Sequence, residues 1–301
     1  MQKIISKTAT YFQTAIVSTL LLASTCSAAT ITEIRMPTGF QQQQRQQEAE
    51  DLMKKYNVVL LVDSSKSMGY SCSAAHDAFT AVVGGEQKDD IASSVSDFLG
   101  NIGFETDDLS TRWDWCKARA NELAEAGKAN SDGLRLILFG EKASIHDNVD
   151  QQAIEKIFDD EHPHGGTFAA RSLETEFDNY FAHRKADGST KPLLLAVITD
   201  GSFGDKWSSR RALIKATEKM QHGDEILVTI LKIGNDPKAP KFLNEIDNEL
   251  LSKYNAKYDI VEVAPFDALT DRGIAGVLSD VANGKRGIGQ STKISSTEIV
   301  Q

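Results

Sequence analysis

The chain has 301 residues, 41% hydrophobic and 25% charged, an ordinary globular composition with enough apolar material for one large domain or two small ones. Asp and Glu outnumber Lys and Arg by 43 to 33, giving a net charge of −10. No Lys/Arg stripe forms, which argues against nucleic acid as a partner.

At the N-terminus Lys3 and Lys7 precede an apolar core over about residues 11–23, then the small residues Ser24, Thr25, Cys26, Ser27, Ala28 and Ala29. This is the layout of a secretory signal peptide, residues 1–28, cleaved after Ala28 or Ala29. The core is shorter than the ~20 residues of a transmembrane helix, and no later apolar stretch is long enough to span a bilayer. The expected mature chain is therefore exported, periplasmic or secreted, with no integral membrane segment. Its net charge is −12, since Lys3 and Lys7 are the only charges lost. Lipid anchoring at Cys26 fits less well, because Thr25 precedes it and Ala23 stands three residues before it.

Residues 29–54 are polar and glutamine-rich, read as a linker that becomes a short leading helix from about residue 41. Residues 58–62 (Val-Val-Leu-Leu-Val) are apolar without alternation, the mark of a strand buried on both faces, and they run into Asp63, Ser65 and Ser67. Residues 69–111 hold a candidate helix at about 89–99, and a second helix follows to residue 126 with Trp113, Trp115 and Cys116. Cys72 and Cys116 are the only cysteines left after cleavage. An even count in an exported chain favours a disulfide over two buried thiols. His76 beside Cys72 hints at zinc, but no fourth ligand is evident.

Strands are expected at 134–139, 193–199, 225–233 and 258–263, with a short edge strand at 143–146. Helices are expected at 151–158, 169–181, 209–221, 242–254 and 267–282, the last carrying the apolar stripe Leu269, Ile274, Val277, Leu278 and Val281. Residues 285–301 read as a loose tail. Strands alternating with helices predict a three-layer, Rossmann-like, doubly wound α/β fold, its mostly parallel sheet covered by helices on both faces over residues 55–284.

Three strand or loop ends carry oxygen ligands: Asp63/Ser65/Ser67, Thr167 after Gly165-Gly166, and Asp200 in Thr199-Asp200-Gly201. Each alone is also ordinary turn and cap chemistry. Taken together, in this order, Asp-x-Ser-x-Ser, Gly-Gly-Thr and Thr-Asp-Gly resemble the metal-ion-dependent adhesion site of the von Willebrand factor type A (VWA) family. The resemblance implies that Ser65 and Ser67 bind Mg²⁺ directly, with Mn²⁺ or Ca²⁺ as alternatives. It implies that Thr167 binds directly or through water, and that Asp63 and Asp200 hold waters and the serine hydroxyls. It also implies a protein partner presenting an Asp or Glu carboxylate. Hydroxyl ligands leave the cation's charge largely uncompensated, which suits such a partner.

Rim candidates are His162, His164, Tyr70, Phe203, Asp205 and Trp207, each with a competing reading as loop or packing residue. Gly-x-x-x-x-Gly-Lys-[Ser/Thr] and Gly-x-Ser-x-Gly are both absent. The expectation is a binding module rather than an enzyme. The alternatives are a Mg²⁺-dependent hydrolase or phosphoryl-transfer enzyme, or a domain that the metal merely stabilises.

Overall fold

The computed structural model of the protein describes residues 39–70, 111–128, 133–185, 189–201, 203–234 and 239–288. The expected signal peptide, the helix at 89–99, Cys72 and most of the tail lie outside these residues.

The fully apolar stretches become the central strands because each can bury both faces. β1 (Asn57–Asp63), β2 (Leu134–Phe139), β4 (Leu193–Thr199) and β5 (Ile226–Lys232) lie parallel, joined by the short β6 (Val261–Ala264). β3 (Ser144–Val149) is longer than expected and runs antiparallel on the far edge. It is mostly polar, exposes its Ile145, and pairs with β2 through a register shift near Leu134. The order is β3-β2-β1-β4-β5-β6. Pairing therefore leaves β1 in both directions, to β2 on one side and β4 on the other. In open α/β sheets such a reversal opens a crevice at the carboxyl ends of the strands.

Alternate β1 residues feed two cores. Val58, Leu60 and Val62 pack under α1 (Gly39–Lys55), α2 (Arg112–Gly127), α3 (Gln151–Asp160) and α8 (Phe266–Ala282). Val59 and Leu61 pack under α4 (Ala170–His183), α5 (Lys206–Lys219), α6 (Ala239–Asn248) and α7 (Leu250–Tyr254). The result is the expected three-layer, doubly wound α/β domain. Each fully buried Leu or Val contributes roughly 1.5–3 kcal/mol.

Several boundaries differ from the sequence reading for local reasons. The leading helix buries Ala49, Leu52 and Met53 against α8 and is part of the core. The single helix expected at 242–254 is two, α6 and α7, broken at Glu249, with Asn255 in the left-handed region ending the second. Gly273 interrupts α8 at φ 69°, a turn that glycine takes without the steric cost of a side chain. Trp113 and Trp115 are packing residues: Trp113 lies against Phe158 at 4.5 Å between ring centroids, and Trp115 against Phe266 at 5.6 Å. Cys116, on the inner face of α2, is buried in the core, while the cysteine expected to bond it lies outside the described residues.

Candidate functional site

β1 ends at Asp63, whose side chain organises the loop beyond it. Asp63 is fully buried. Its Oδ1 accepts the backbone N–H of Ser65 at 2.9 Å, and its Oδ2 accepts the Thr199 hydroxyl at 2.8 Å. The first bond folds the β1 loop back on itself, and the second crosses to the end of β4. Thr199 Oγ1 in turn accepts the N–H of Gly201 at 3.0 Å, which shapes the turn around Asp200. Gly201 sits at φ 90°, and a Cβ there would lie 2.7 Å from that of Ala239, so the turn and α6 both require glycine.

Beyond Asp63 the chain enters a 3₁₀ turn, Lys66–Gly69. The turn brings the hydroxyls of Ser65 and Ser67 to 3.1 Å from each other. Ser65 is buried and Ser67 half-buried. The Gly-Gly-Thr loop is laced to the same turn: Lys66 N donates to Gly165 O at 3.2 Å and His164 N to Ser64 O at 2.8 Å. Gly140 also makes room here, since a Cβ on it would come within 2.9 Å of Ser64 Oγ. Thr167 is buried, and its carbonyl accepts Gly204 N at 2.7 Å.

Asp200, also buried, faces a cation that the sequence reading missed. Arg112, the first residue of α2, reaches its Nη1 to 3.5 Å from Asp200 Oδ2 and donates to the carbonyl of Ser67 at 3.2 Å. Both side chains of this ion pair are almost wholly buried, at 5% and 3% exposure. α2 is held in place by a capping box, in which Thr111 accepts from Asp114 N and the Asp114 carboxylate accepts from Thr111 N. The N–H of Arg112 donates to Tyr70 O at 2.8 Å, so the start of α2 is fastened to the end of the β1 loop.

Burial pushes the Asp63 carboxyl up to about 7, with the charge of Asp200 adding to the rise and the bonds from Ser65 and Thr199 opposing it. Two buried acids thus stand close to each other beside the Arg112 guanidinium. A divalent cation fits this donor set. The Ser65–Ser67 separation of 3.1 Å is close to the roughly 3.0 Å between neighbouring oxygens around octahedral magnesium at about 2.1 Å. Among the described residues no three His, Cys, Asp or Glu side chains gather as a metal group, so a cation placed here would meet hydroxyls first.

The structure brings Asp63, Ser65 and Ser67 together, ties Asp200 to them through Thr199 and Arg112, and laces the Thr167 loop to the serine turn. It separates the rim candidates. Phe203 is a core residue between Phe139 and Phe242, not a rim residue, because its ring fills the space under the Asp200 turn. Asp205 is a cap: it accepts from Ala169 N and Ala170 N at 3.2 and 2.9 Å, completing the start of α4, which has no cap of its own. Trp207, His162 and His164 are exposed, while Tyr70 is half-buried. A hydroxyl at the end of an apolar strand could have flagged Thr199. No local signal marks Arg112, whose role depends on a contact across 88 positions of sequence.

The strand order, the single antiparallel edge and the crevice at β1 and β4 define an open, doubly wound α/β domain. The chain is similar in structure to a manganese-loaded TRAP protein of Plasmodium vivax, at 16% identity and a TM-score of 0.43 over 72% of this chain and 71% of that one. It is also similar to a von Willebrand factor type A protein of Catenulispora acidiphila, at 14% and 0.41 over 76% and 42%. A third similarity is to the SpRpn10 VWA domain, at 11% and 0.38 over 77% and 96%. No protein-family model and no curated sequence matches the chain.

Proposed function

We propose that the chain is an exported, non-enzymatic protein-binding domain whose crevice takes a divalent cation, Mg²⁺ first, and through it a partner's Asp or Glu. Ser65, Ser67 and Thr167 are the residues that would hold it, and Asp63 and Asp200 would orient them. The cation supplies an open coordination position and a surplus of positive charge for the incoming carboxylate. The observation that carries this reading is the pair of serine hydroxyls, 3.1 Å apart above a carboxylate whose two oxygens are both already engaged. Asp63 is thereby spent on holding the loop and cannot serve as a general base without releasing it. The surroundings also lack a nucleophile motif or a phosphate loop, which favours binding over turnover. The leader-like layout of residues 1–28 supports export.

One experiment covers the reading. Protein recovered from the envelope or medium of producing cells, its N-terminus read by mass spectrometry, should begin at residue 29 or 30. It should bind one Mn²⁺ by electron paramagnetic resonance titration and release it to excess Mg²⁺. The Ser65→Ala/Ser67→Ala variant should keep its circular dichroism and lose at least about 100-fold in Mn²⁺ affinity, the scale of losing two metal ligands. A wild-type chain that binds no divalent cation overturns the metal reading. A variant that unfolds points instead to a structural role for the site.

A further inference from the structure

The sheet ends at β3, whose outer edge pairs with no strand among the described residues. Apolar surface lies on both sides of that edge. On one side β3 and α3 line a groove of about 470 Å³, floored by Val149, Ala153 and Ile157. On the other, Ile145 is 44% exposed. The alternation of a strand puts it there. Ile145 pairs with Ile137 of the core under α4, while His146, which lines the groove, pairs with Leu136 of the core under α3. A strand added at this edge would meet an apolar neighbour with each of its faces. The register shift beside Asn148, at φ 52°, confines regular pairing to residues 144–146.

The charge of the groove selects its occupant. α3 ends in Asp159 and Asp160, followed by Glu161, with no basic residue in the last turn. That is the wrong sign for a helix C-terminus, which favours cations. Lys117 pairs with Asp159, Lys156 with Asp160, and Arg135 with Asp147 on the strand itself. Glu161, in the groove wall, has no ion pair among the described residues. A second copy of β3 would bring the same acids to the same edge, which like charge disfavours. We propose that the β3–α3 edge is a docking surface for an extended, basic segment of a partner protein. The segment pairs with β3 as an added strand, carries apolar or β-branched side chains on both faces, and sets a Lys or Arg against Glu161. Backbone bonds to the edge supply affinity, and the groove and Glu161 supply the choice of sequence. The surface does not use the serine crevice, so it needs no cation.

The test selects phage-displayed random peptides of about eight residues, within the usual length of a strand, on the full mature chain in EDTA. Enriched peptides should be rich in Val, Ile and Thr and should carry Lys or Arg. One of them, synthesised with a fluorescent label, should bind equally in EDTA and in Mg²⁺ and slow amide exchange within residues 144–146. Ile145→Lys changes an exposed side chain and puts a charge on the edge. It should keep its circular dichroism and bind the peptide at least about tenfold more weakly. Glu161→Lys should lose about as much and should prefer the same peptide with its basic residues exchanged for Glu. Ser65→Ala/Ser67→Ala should bind it as the wild type does. Enrichment of no peptide, enriched peptides without a basic residue, or binding that leaves exchange at residues 144–146 unchanged overturns the proposal. A wild-type dimer in sedimentation that Ile145→Lys converts to monomer also overturns it and gives the edge to a second copy. Each of these outcomes leaves the cation reading of the crevice standing.

Discussion

Thr199 shows how much one hydroxyl carries at this site. It donates to Asp63 Oδ2 and accepts from Gly201 N, so it joins the end of β1 to the turn that presents Asp200. Valine has nearly the same shape and neither bond. Thr199→Val would leave a buried carboxylate oxygen and a buried N–H without partners, each costing about 1–3 kcal/mol. We expect urea unfolding of Thr199→Val to show a loss of about 2–4 kcal/mol, with Thr199→Ser close to wild type because it retains the hydroxyl. A Thr199→Val midpoint equal to that of wild type would show that the bond to Asp63 contributes nothing net. The contrast with Ser65 and Ser67 is instructive. Their hydroxyls bond to each other across the rim, so removing them should touch cation binding far more than stability.

At the scale of elements, the junction of α6 with β6 holds a second pair of acids, Asp247 half-buried and Glu262 buried, remote in sequence from Asp63 and Asp200. Asp247 near the end of α6 accepts the N–H of Val263 in β6 at 3.0 Å, while Glu262 is buried and accepts the N–H of Ile288 at 2.8 Å. Burial, with the charge of Glu262 adding to it, raises Asp247 to about 6. A carboxyl whose folded pKa lies above its unfolded value favours folding in its protonated form. That contribution is complete below about 3.8 and is lost as pH rises through about 6. Asparagine can keep the bond to Val263 without ever ionising. Asp247→Asn should therefore gain stability over wild type progressively between about pH 4 and pH 6 and hold a constant advantage above that range. Thermal melts of both proteins from pH 4.5 to 8 check this, and parallel curves at all pH values would contradict it. The same junction holds the end of β6 against α6, so the gain should also appear as slower amide exchange at Val263.

For the molecule as a whole, the sheet was legible because its central strands are unbroken apolar runs. Residues 58–62, 134–139 and 193–199 need two covered faces, and only a doubly wound arrangement offers them to so many segments at once. The place of Asp63, Thr167 and Asp200 in the fold was legible for a related reason: they end such strands or precede a helix, at the carboxyl end of the sheet. The parts that escaped depend on contacts between distant segments. Arg112 meets Asp200, Asp205 caps a helix that begins 35 positions earlier, and Phe203 turns into the core against Phe139 and Phe242. The break at Glu249 escaped because the apolar spacing of 242–254 continues through it. The same global arrangement gives the cation reading a thermodynamic consequence. A crevice assembled from β1, the 161–169 loop and the end of β4 does not exist in the unfolded chain, so a cation bound there stabilises only the folded state. Saturation at about 100 times the dissociation constant would contribute about 2.7 kcal/mol. Raising Mg²⁺ should move the melting temperature upward by several degrees in a logarithmic, non-saturating way, and EDTA should return it to its starting value. Ser65→Ala/Ser67→Ala should melt at a temperature that Mg²⁺ does not change. A wild-type melting temperature that Mg²⁺ leaves fixed, at concentrations shown by titration to fill the site, would mean that the unfolded chain binds the cation as well as the folded one, which a crevice assembled by folding does not allow.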